Sequence, residues 1–344
     1  MPSLSERQKL ILALVIRDYI ETAQPVGSQH LVDKYGLEFS SATVRNEMAT
    51  LTDAGYLRQP HTSAGREPTE DGYRYFVRQL MGHTDLPDTT KRMITHQFYQ
   101  ARQDMDQWMR LAASILAHQS QAASLVTAPH PEQGHFKHLE LVSTFARQVL
   151  MVLVLAGGEV RQQMLVLAEP VSQEQLSAVA DKINQRCQGM DAEGISALLG
   201  QMDALEQDVL KLTVEELDRS SAVLGGEVYR DGLSNVLGEP EFSGVDMARR
   251  ALRVLEERSL LEDLLSRTIL TSGIGGVQVL IGGEGTWEDL RHCSMVLARY
   301  GAPGLSTGAV GVLGPIRMAY GRTISTVRFV AGLLSDLVVE THVE

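Results

Sequence analysis

The apolar periodicity of this chain changes character at Pro129-His130-Pro131. Before that point hydrophobic residues recur at helical spacing, and after it the first runs of extended character appear. A chain that switches period in this way is an α+β protein of more than one domain. Its 344 residues suffice for two or three domains of about 100–200 residues each. Hydrophobic content of 44% against 22% charge lies outside the disordered regime, so most of the chain is expected to fold. The longest nearly apolar stretch, Val149 to Ala156, is far short of the ~20 residues that cross a bilayer, so no membrane span is expected. The first residues run straight into a helical pattern without a basic leader, and Cys187 and Cys293 lack any C-x-x-C spacing. Both features lead us to expect a cytoplasmic protein with neither disulfide framework nor zinc module.

The first eighty residues are punctuated as four helical segments. Ser5 with Gln8 forms a capping box for a helix from about Glu6 to Thr22. Pro25-Val26-Gly27 breaks it, Ser28 is placed to cap a short second helix through Tyr35, and Gly36 sits at the left-handed stop position. Ser40 or Ser41 then caps a third helix in which Val44, Met48 and Leu51 recur on one face, closed by Gly55. This is a helix-turn-helix pattern. With that apolar face turned inward, Ala42, Asn46, Ala49 and Asp53 lie outward, flanked by Thr43 and Thr50 on one side and Arg45 on the other. Small and hydrogen-bonding residues at the N-terminal end suit a major groove, where Asn reads adenine and Arg reads guanine or phosphate.

Tyr56 to Pro68 reads as a two-stranded hairpin, a wing, and Thr69 caps a fourth helix carrying Tyr73, Phe76, Val77 and Leu80. The wing offers His61, Thr62, Ser63 and Arg66 to the sugar-phosphate backbone or the minor groove. The candidate DNA-binding set is therefore Ser40, Ser41, Thr43, Arg45, Asn46, His61, Thr62, Ser63 and Arg66. Ser40 and Ser41 are assigned to helix capping and phosphate, and Thr43, Arg45 and Asn46 to the operator. A small helical domain with a solvated loop would share the same punctuation.

Beyond Pro87, Ile94, Phe98, Ala101, Met105, Trp108, Ala112 and Ile115 step by fours and threes, which predicts one long helix serving either self-association or domain packing. Leu139 to Val142, Val149 to Leu155 and Val160 to Leu167 read as strands, with Ala156-Gly157-Gly158-Glu159 as a hairpin turn. Residues 172–221 read as mostly helical, opened by a Ser172–Gln175 capping box. They are followed by a strand at Val228-Tyr229-Arg230, helices at Asp246 to Glu257 and Leu260 to Ile269, and strands at Val277 to Ile281, Cys293 to Leu297 and Val310 to Leu313. A closing helix is expected to start at Gly314-Pro315. The order predicts an α+β domain with a helical insertion between early and late strands.

No catalytic constellation emerges: there is no G-x-S-x-G elbow and no H-E-x-x-H, so no enzyme is expected. The glycine runs Gly273 to Gly276 and Gly282 to Gly285 lack the Gly-Lys-Ser/Thr of a P-loop. His130, Glu132, His135 and His138 share no helical spacing that would fix a metal geometry, so neither metal nor cofactor is expected. A net charge of −12 argues against a broad DNA-binding surface, yet residues 1–78 carry nine basic and ten acidic side chains against 22 and 33 in the remainder. DNA contact must therefore come from local placement.

The run from Ser40 to Met48, then Gly55-Tyr56-Leu57, Gln59 to Arg66, Pro68-Thr69 and Gly72-Tyr73-Arg74, closely resembles the heat-inducible transcription repressor HrcA family, as does Gly311 to Tyr320. The likeness covers nearly the whole chain. Ile316 and Ala319 depart from the Thr and Asp that the family usually carries there, which bears on packing of the last helix and not on DNA reading. The resemblance implies a bacterial repressor with an N-terminal winged helix-turn-helix (1–80), a helical linker or dimer-contact region (81–128), and a GAF-like α/β domain in two parts (129–180 and 246–344). A mostly helical dimerisation region (181–245) interrupts that domain. It further implies a homodimer on double-stranded DNA, at the CIRCE inverted repeat of chaperone operons, kept active by a GroEL-type chaperonin and lost on heat stress. A metabolite-sensing winged-helix regulator using the GAF-like domain as a ligand pocket is the alternative that the residues leave open.

Overall fold

A computed structural model of the chain describes residues 4–61, 64–82, 84–101, 104–131, 134–156, 160–220, 227–269, 273–302 and 305–343. The chain forms two compact units, one of Met1–Val126, Tyr229–Arg299 and Ala309–Leu334, the other of Thr127–Val228, Tyr300–Gly308 and Ser335–Glu344.

In the first unit α1 (Glu6–Thr22) begins at the expected capping box: the Ser5 hydroxyl accepts from Gln8 N at 3.3 Å and Ser5 N donates to the Gln8 side chain at 3.0 Å. Its residues Ile11 to Ile16 are all buried. Helix α2 (Ser28–Tyr35) stops at Gly36, whose φ of 59° is the left-handed conformation that glycine adopts without steric cost. Ser28 does not cap it. The N-cap is Gly27, and Ser28 is a buried first-turn residue, because Pro25-Val26-Gly27 is itself extended. Helix α3 (Ser41–Asp53) buries Val44, Met48 and Leu51, as its spacing predicts. Strands β1 (Leu57–Arg58) and β2 (Glu67–Pro68) pair antiparallel, and α4 (Glu70–Tyr75) runs on into a π-helical turn over Phe76–Leu80.

The single long helix expected after Pro87 is two helices, α5 (Asp88–Gln100) and α6 (Met105–Ser120). Ala101 is extended, with ψ at 136°, and Asp104 caps α6 by accepting from Asp106 N. The apolar stripe is continuous in sequence because each helix buries its own face, Ile94 and Phe98 in α5 and Trp108, Ala112 and Ile115 in α6. A short polar cap between them outweighs the heptad pattern. The stretch right after α6 is a strand, β3 (Ala123–Thr127), buried at every residue. A strand buried on both faces shows no alternation, and so it reads as a continuation of the apolar helix.

The second unit contains β4 (His130–Pro131) and an antiparallel meander of β5 (Phe136–Phe145), β6 (Gln148–Leu155) and β7 (Val160–Val166), followed by α7 (Gln173–Cys187), α8 (Ala192–Ser196) and α9 (Ala204–Ser220). The turn expected at 157–159 lies outside the described residues. Val149, Met151, Leu153 and Leu155 alternate inward on β6 and pack in one core with Leu176, Ile183, Val209 and Leu217 of the helices. Two amides of α7 serve the β5 edge as a strand would: Gln173 bonds Ser143 N and Leu141 O, both at 2.8 Å, and Asn184 bonds Leu139 N at 2.7 Å and Leu139 O at 2.9 Å.

The chain returns through β8 (Val228–Asp231), α10 (Leu233–Leu237), α11 (Val245–Glu256), α12 (Arg258–Thr268), β9 (Val277–Ile281), β10 (Cys293–Gly301), β11 (Ser306–Pro315) and α13 (Tyr320–Val343). The closing helix starts at Tyr320 rather than at Pro315, because β11 keeps pairing through Leu313 with Ala123 and the Tyr320 hydroxyl donates back to Ile316 O at 2.5 Å. The expected early strands and the expected late strands fall in different sheets. The large sheet has the order β8-β3-β11-β10-β9, and β5-β6-β7 stands apart. The architecture is mixed α/β, with a helix-rich segment inside it.

Asp18 of α1 is buried yet paired, at 2.6 Å to Lys34 Nζ and 3.1 Å to His30 Nε2, both of α2. Burial raises its pKa, but the hydrogen bonds from Lys34 and His30 outweigh this and hold the carboxyl below its ordinary value. A carboxylate depressed in the folded state stabilises above its unfolded pKa and loses that contribution as pH falls through the folded one. Asp18→Asn is therefore expected to cost about 1–3 kcal/mol at neutral pH. In denaturant titrations the gap from wild type should close as the pH falls below about 4; a gap independent of pH would contradict the assignment.

Candidate nucleic-acid interface

The N-terminus of α3 is held by Ser40, whose hydroxyl accepts from Thr43 N at 3.2 Å and lies 2.9 Å from the Thr43 hydroxyl. Of the two capping candidates Ser40 takes the role, and Ser41 is the first helical residue. Behind the helix, Val44 and Leu51 are fully buried and Met48 nearly so, worth about 1.5–3 kcal/mol for each large side chain. Its N-terminal turns are tied to α1 through Glu47, which accepts from Gln8 Nε2 at 3.1 Å and pairs with Arg7 at 3.4 Å. Arg45, Asn46 and Thr50 are exposed on the outer side, and neither Arg45 nor the Asn46 side chain has a partner among the described residues. The helix thus presents one uncompensated cation and one open amide on a face whose opposite side is fixed by packing.

The hairpin beside it is anchored more firmly than its two-residue strands suggest. Val26 forms an isolated antiparallel bridge with Arg66, exchanging N–H···O bonds of 2.8 Å in both directions, so the segment read only as a helix breaker also pins the hairpin. Gly65 is required by this approach: a Cβ there would lie 2.4 Å from Val26 O. Arg66 is not at the tip. It closes the loop where β2 begins, half-buried, with Nε donating to the Thr52 hydroxyl of α3 at 3.0 Å, and so couples hairpin and helix. His61 is exposed, and its carbonyl accepts from Ala64 N at 2.9 Å to turn the chain. Thr62 and Ser63 lie outside the described residues. A groove of about 380 Å³ runs between these parts, lined among others by Ser28, Arg45, Gln59 and Arg66. Of the candidates, Ser40, Ser41, Thr43, Arg45, Asn46 and Arg66 belong to α3 or touch it. Thr52 and Val26 are supporting residues that the sequence did not single out. A Gly two positions before the returning strand was the available signal for Val26, since such a glycine often marks close backbone approach.

Among the described residues no group of three His, Cys, Asp or Glu side chains could hold a metal ion, and no helix is long and apolar enough to cross a membrane.

Residues 106–324 match the family model described as HrcA protein C terminal domain. The chain is 46% identical to the heat-inducible transcription repressor HrcA of Roseiflexus castenholzii, over 98% of this chain and 96% of that one. It is 43% identical to the repressor of the same name from Herpetosiphon aurantiacus, over 99% and 97%. A crystal structure titled as a hypothetical protein superposes with a TM-score of 0.58 at 23% identity, covering 98% of both chains, and supports the fold. Relatives of this name are transcription repressors, not enzymes, and DNA binding is what that name implies. By its matched model and by similarity along nearly its whole length, this chain belongs to the heat-inducible transcription repressor HrcA family.

Proposed function

We propose that the chain represses chaperone operons as a homodimer on the CIRCE inverted repeat, that residues 1–80 act as a winged helix-turn-helix, and that a GroEL-type chaperonin keeps it active in the cytoplasm until heat stress. The observation that carries the DNA reading is the unpaired Arg45 and open Asn46 side chain on α3, directly over the buried Val44, Met48 and Leu51 and beside an anchored hairpin. Thr43, Arg45 and Asn46 meet the operator, while Ser40 and Ser41 hold the helix start and bond phosphate. The hairpin's His61, Thr62 and Ser63 serve the backbone, and Arg66 contributes charge from the end of its loop.

An inverted repeat calls for two equivalent recognition helices, hence a two-fold protein. Support for pairing comes from the meander of the second unit. Its outer face carries Val142, Met164 and Val166, exposed at 43%, 52% and 68%. Leu150 lies between Val142 and Met164 in register. A contiguous apolar sheet face of this kind marks an interface.

Fluorescence anisotropy on a duplex bearing the inverted repeat, beside a scrambled duplex, tests the reading. A preference of about 10³-fold or more is expected. Equal weak binding to both, with chaperonin present, would favour the metabolite-sensing alternative. Asn46→Ala is expected to lose about 1–3 kcal/mol of discrimination, whereas Arg66→Ala weakens all sequences and lowers the salt slope by about one; an unchanged salt slope in Arg66→Ala counts against its phosphate role. Met164→Glu is expected to weaken the dimer by at least about tenfold, or 1.4 kcal/mol, in analytical ultracentrifugation. A dimer as tight as wild type would move the interface elsewhere.

A further inference from the structure

Within the first unit a cavity of about 560 Å³, a volume typical of small-molecule sites, opens between the DNA-reading segment and the sheet-bearing part. On one side it is walled by Tyr19, Arg58 and Tyr73, and on the other by Glu241, Arg291 and Arg317. Tyr73 is 2% exposed, and its hydroxyl has no hydrogen-bond partner among the described residues. Its ring rests against that of Tyr320 at 6.0 Å, which fixes its position. Buried hydroxyls without partners are rare, and one that lines a cavity is a binding group waiting for its complement.

The charges around it are mostly spoken for. Arg58 pairs with Glu67 at 2.7 Å, Arg74 with Asp71 at 2.9 Å and Glu70 at 3.1 Å, and Arg317 with Glu241 at 2.6 Å and also with Glu239. Arg291 is the exception: it is exposed and has no side-chain partner among the described residues. The cavity thus offers one uncompensated guanidinium, whose planar fork matches a carboxylate, and one buried phenol able to donate or accept a hydrogen bond. With the other cations neutralised by carboxylates, a polyanion would meet as much repulsion as attraction.

We propose that this cavity binds a small hydroxycarboxylate, its carboxylate on Arg291 and its hydroxyl on Tyr73. Such a ligand would touch the hairpin and α4 on one side and the segment before β10 on the other. The two parts are already joined there by Arg74, which donates to Ile281 O at 2.7 Å and pairs with Glu284 at 3.2 Å. Ligand binding would therefore tighten a junction next to the DNA-reading helices.

Isothermal titration of the full chain with lactate, and separately with inorganic phosphate, tests this without DNA, so its outcome is independent of the operator reading. Saturable lactate binding is expected, weakened at least tenfold in Tyr73→Phe and in Arg291→Ala. Tyr73→Phe removes only an unbonded hydroxyl, so its thermal midpoint without ligand should not fall, which separates lost binding from lost folding. No binding of lactate, lactate binding unchanged in both variants, or binding of phosphate alone would each overturn the proposal.

Discussion

The antiparallel pairing of β3 with β11, Ala123 to Val126 against Val310 to Leu313, is the constraint on which the first unit depends. It brings the end of the N-terminal helical segment into the interior of a sheet whose strands β8, β9, β10 and β11 come about a hundred residues or more later in the chain. Close approach is enforced on the next strand pair as well, since a Cβ at Gly311 would lie 2.4 Å from the Leu297 side chain of β10. The sheet is therefore a long-range closure, made only when segments far apart in sequence meet. The helices before β3 inherit their place from it: α6 is tied to α13 by Arg322, which donates to Gln119 at 2.8 Å.

The second unit rests on a more local logic. Its strands are consecutive hairpin partners, and its helix α7 returns at once to lay Gln173 and Asn184 along the β5 edge. One sheet face is covered by helices, and the other keeps Val142, Met164 and Val166 in the open. The same alternation that builds the core on the inward positions of β6 leaves an apolar surface on the outward ones, because those positions are themselves Leu150, Val152 and Val154. A sheet whose two faces are both apolar has a second layer to find.

The N-terminal helices and hairpin combine both kinds of constraint. The capping box of α1, the stop at Gly36 and the buried spacing of α3 are decided within a few residues, so the outward direction of Arg45 and Asn46 was legible from composition and period. What holds the hairpin against α3 was not legible. Val26 meets Arg66 across forty residues, and Thr52 accepts from Arg66 on a neighbouring element. For that reason Arg66, read only as a wing residue facing DNA, proves also to hold the end of the hairpin loop against α3 and Val26.

By itself the sequence determined the caps and stops of α1 and α3 and the faces they bury, that the architecture mixes helices and sheets, and which family the chain resembles. These properties rest on caps, periodicity and local turns, whose energies are settled between neighbours in the chain. Tertiary structure alone decided that the stripe from Ile94 to Ile115 is two helices, that Ala123–Thr127 is a central strand, and that the late and early strands divide between two sheets. It also decided that Tyr73, an ordinary core aromatic by its spacing, ends with its hydroxyl unpartnered beside a cavity. Burial and partner choice depend on surfaces that come from distant parts of the chain, and periodicity carries no record of which surface will arrive.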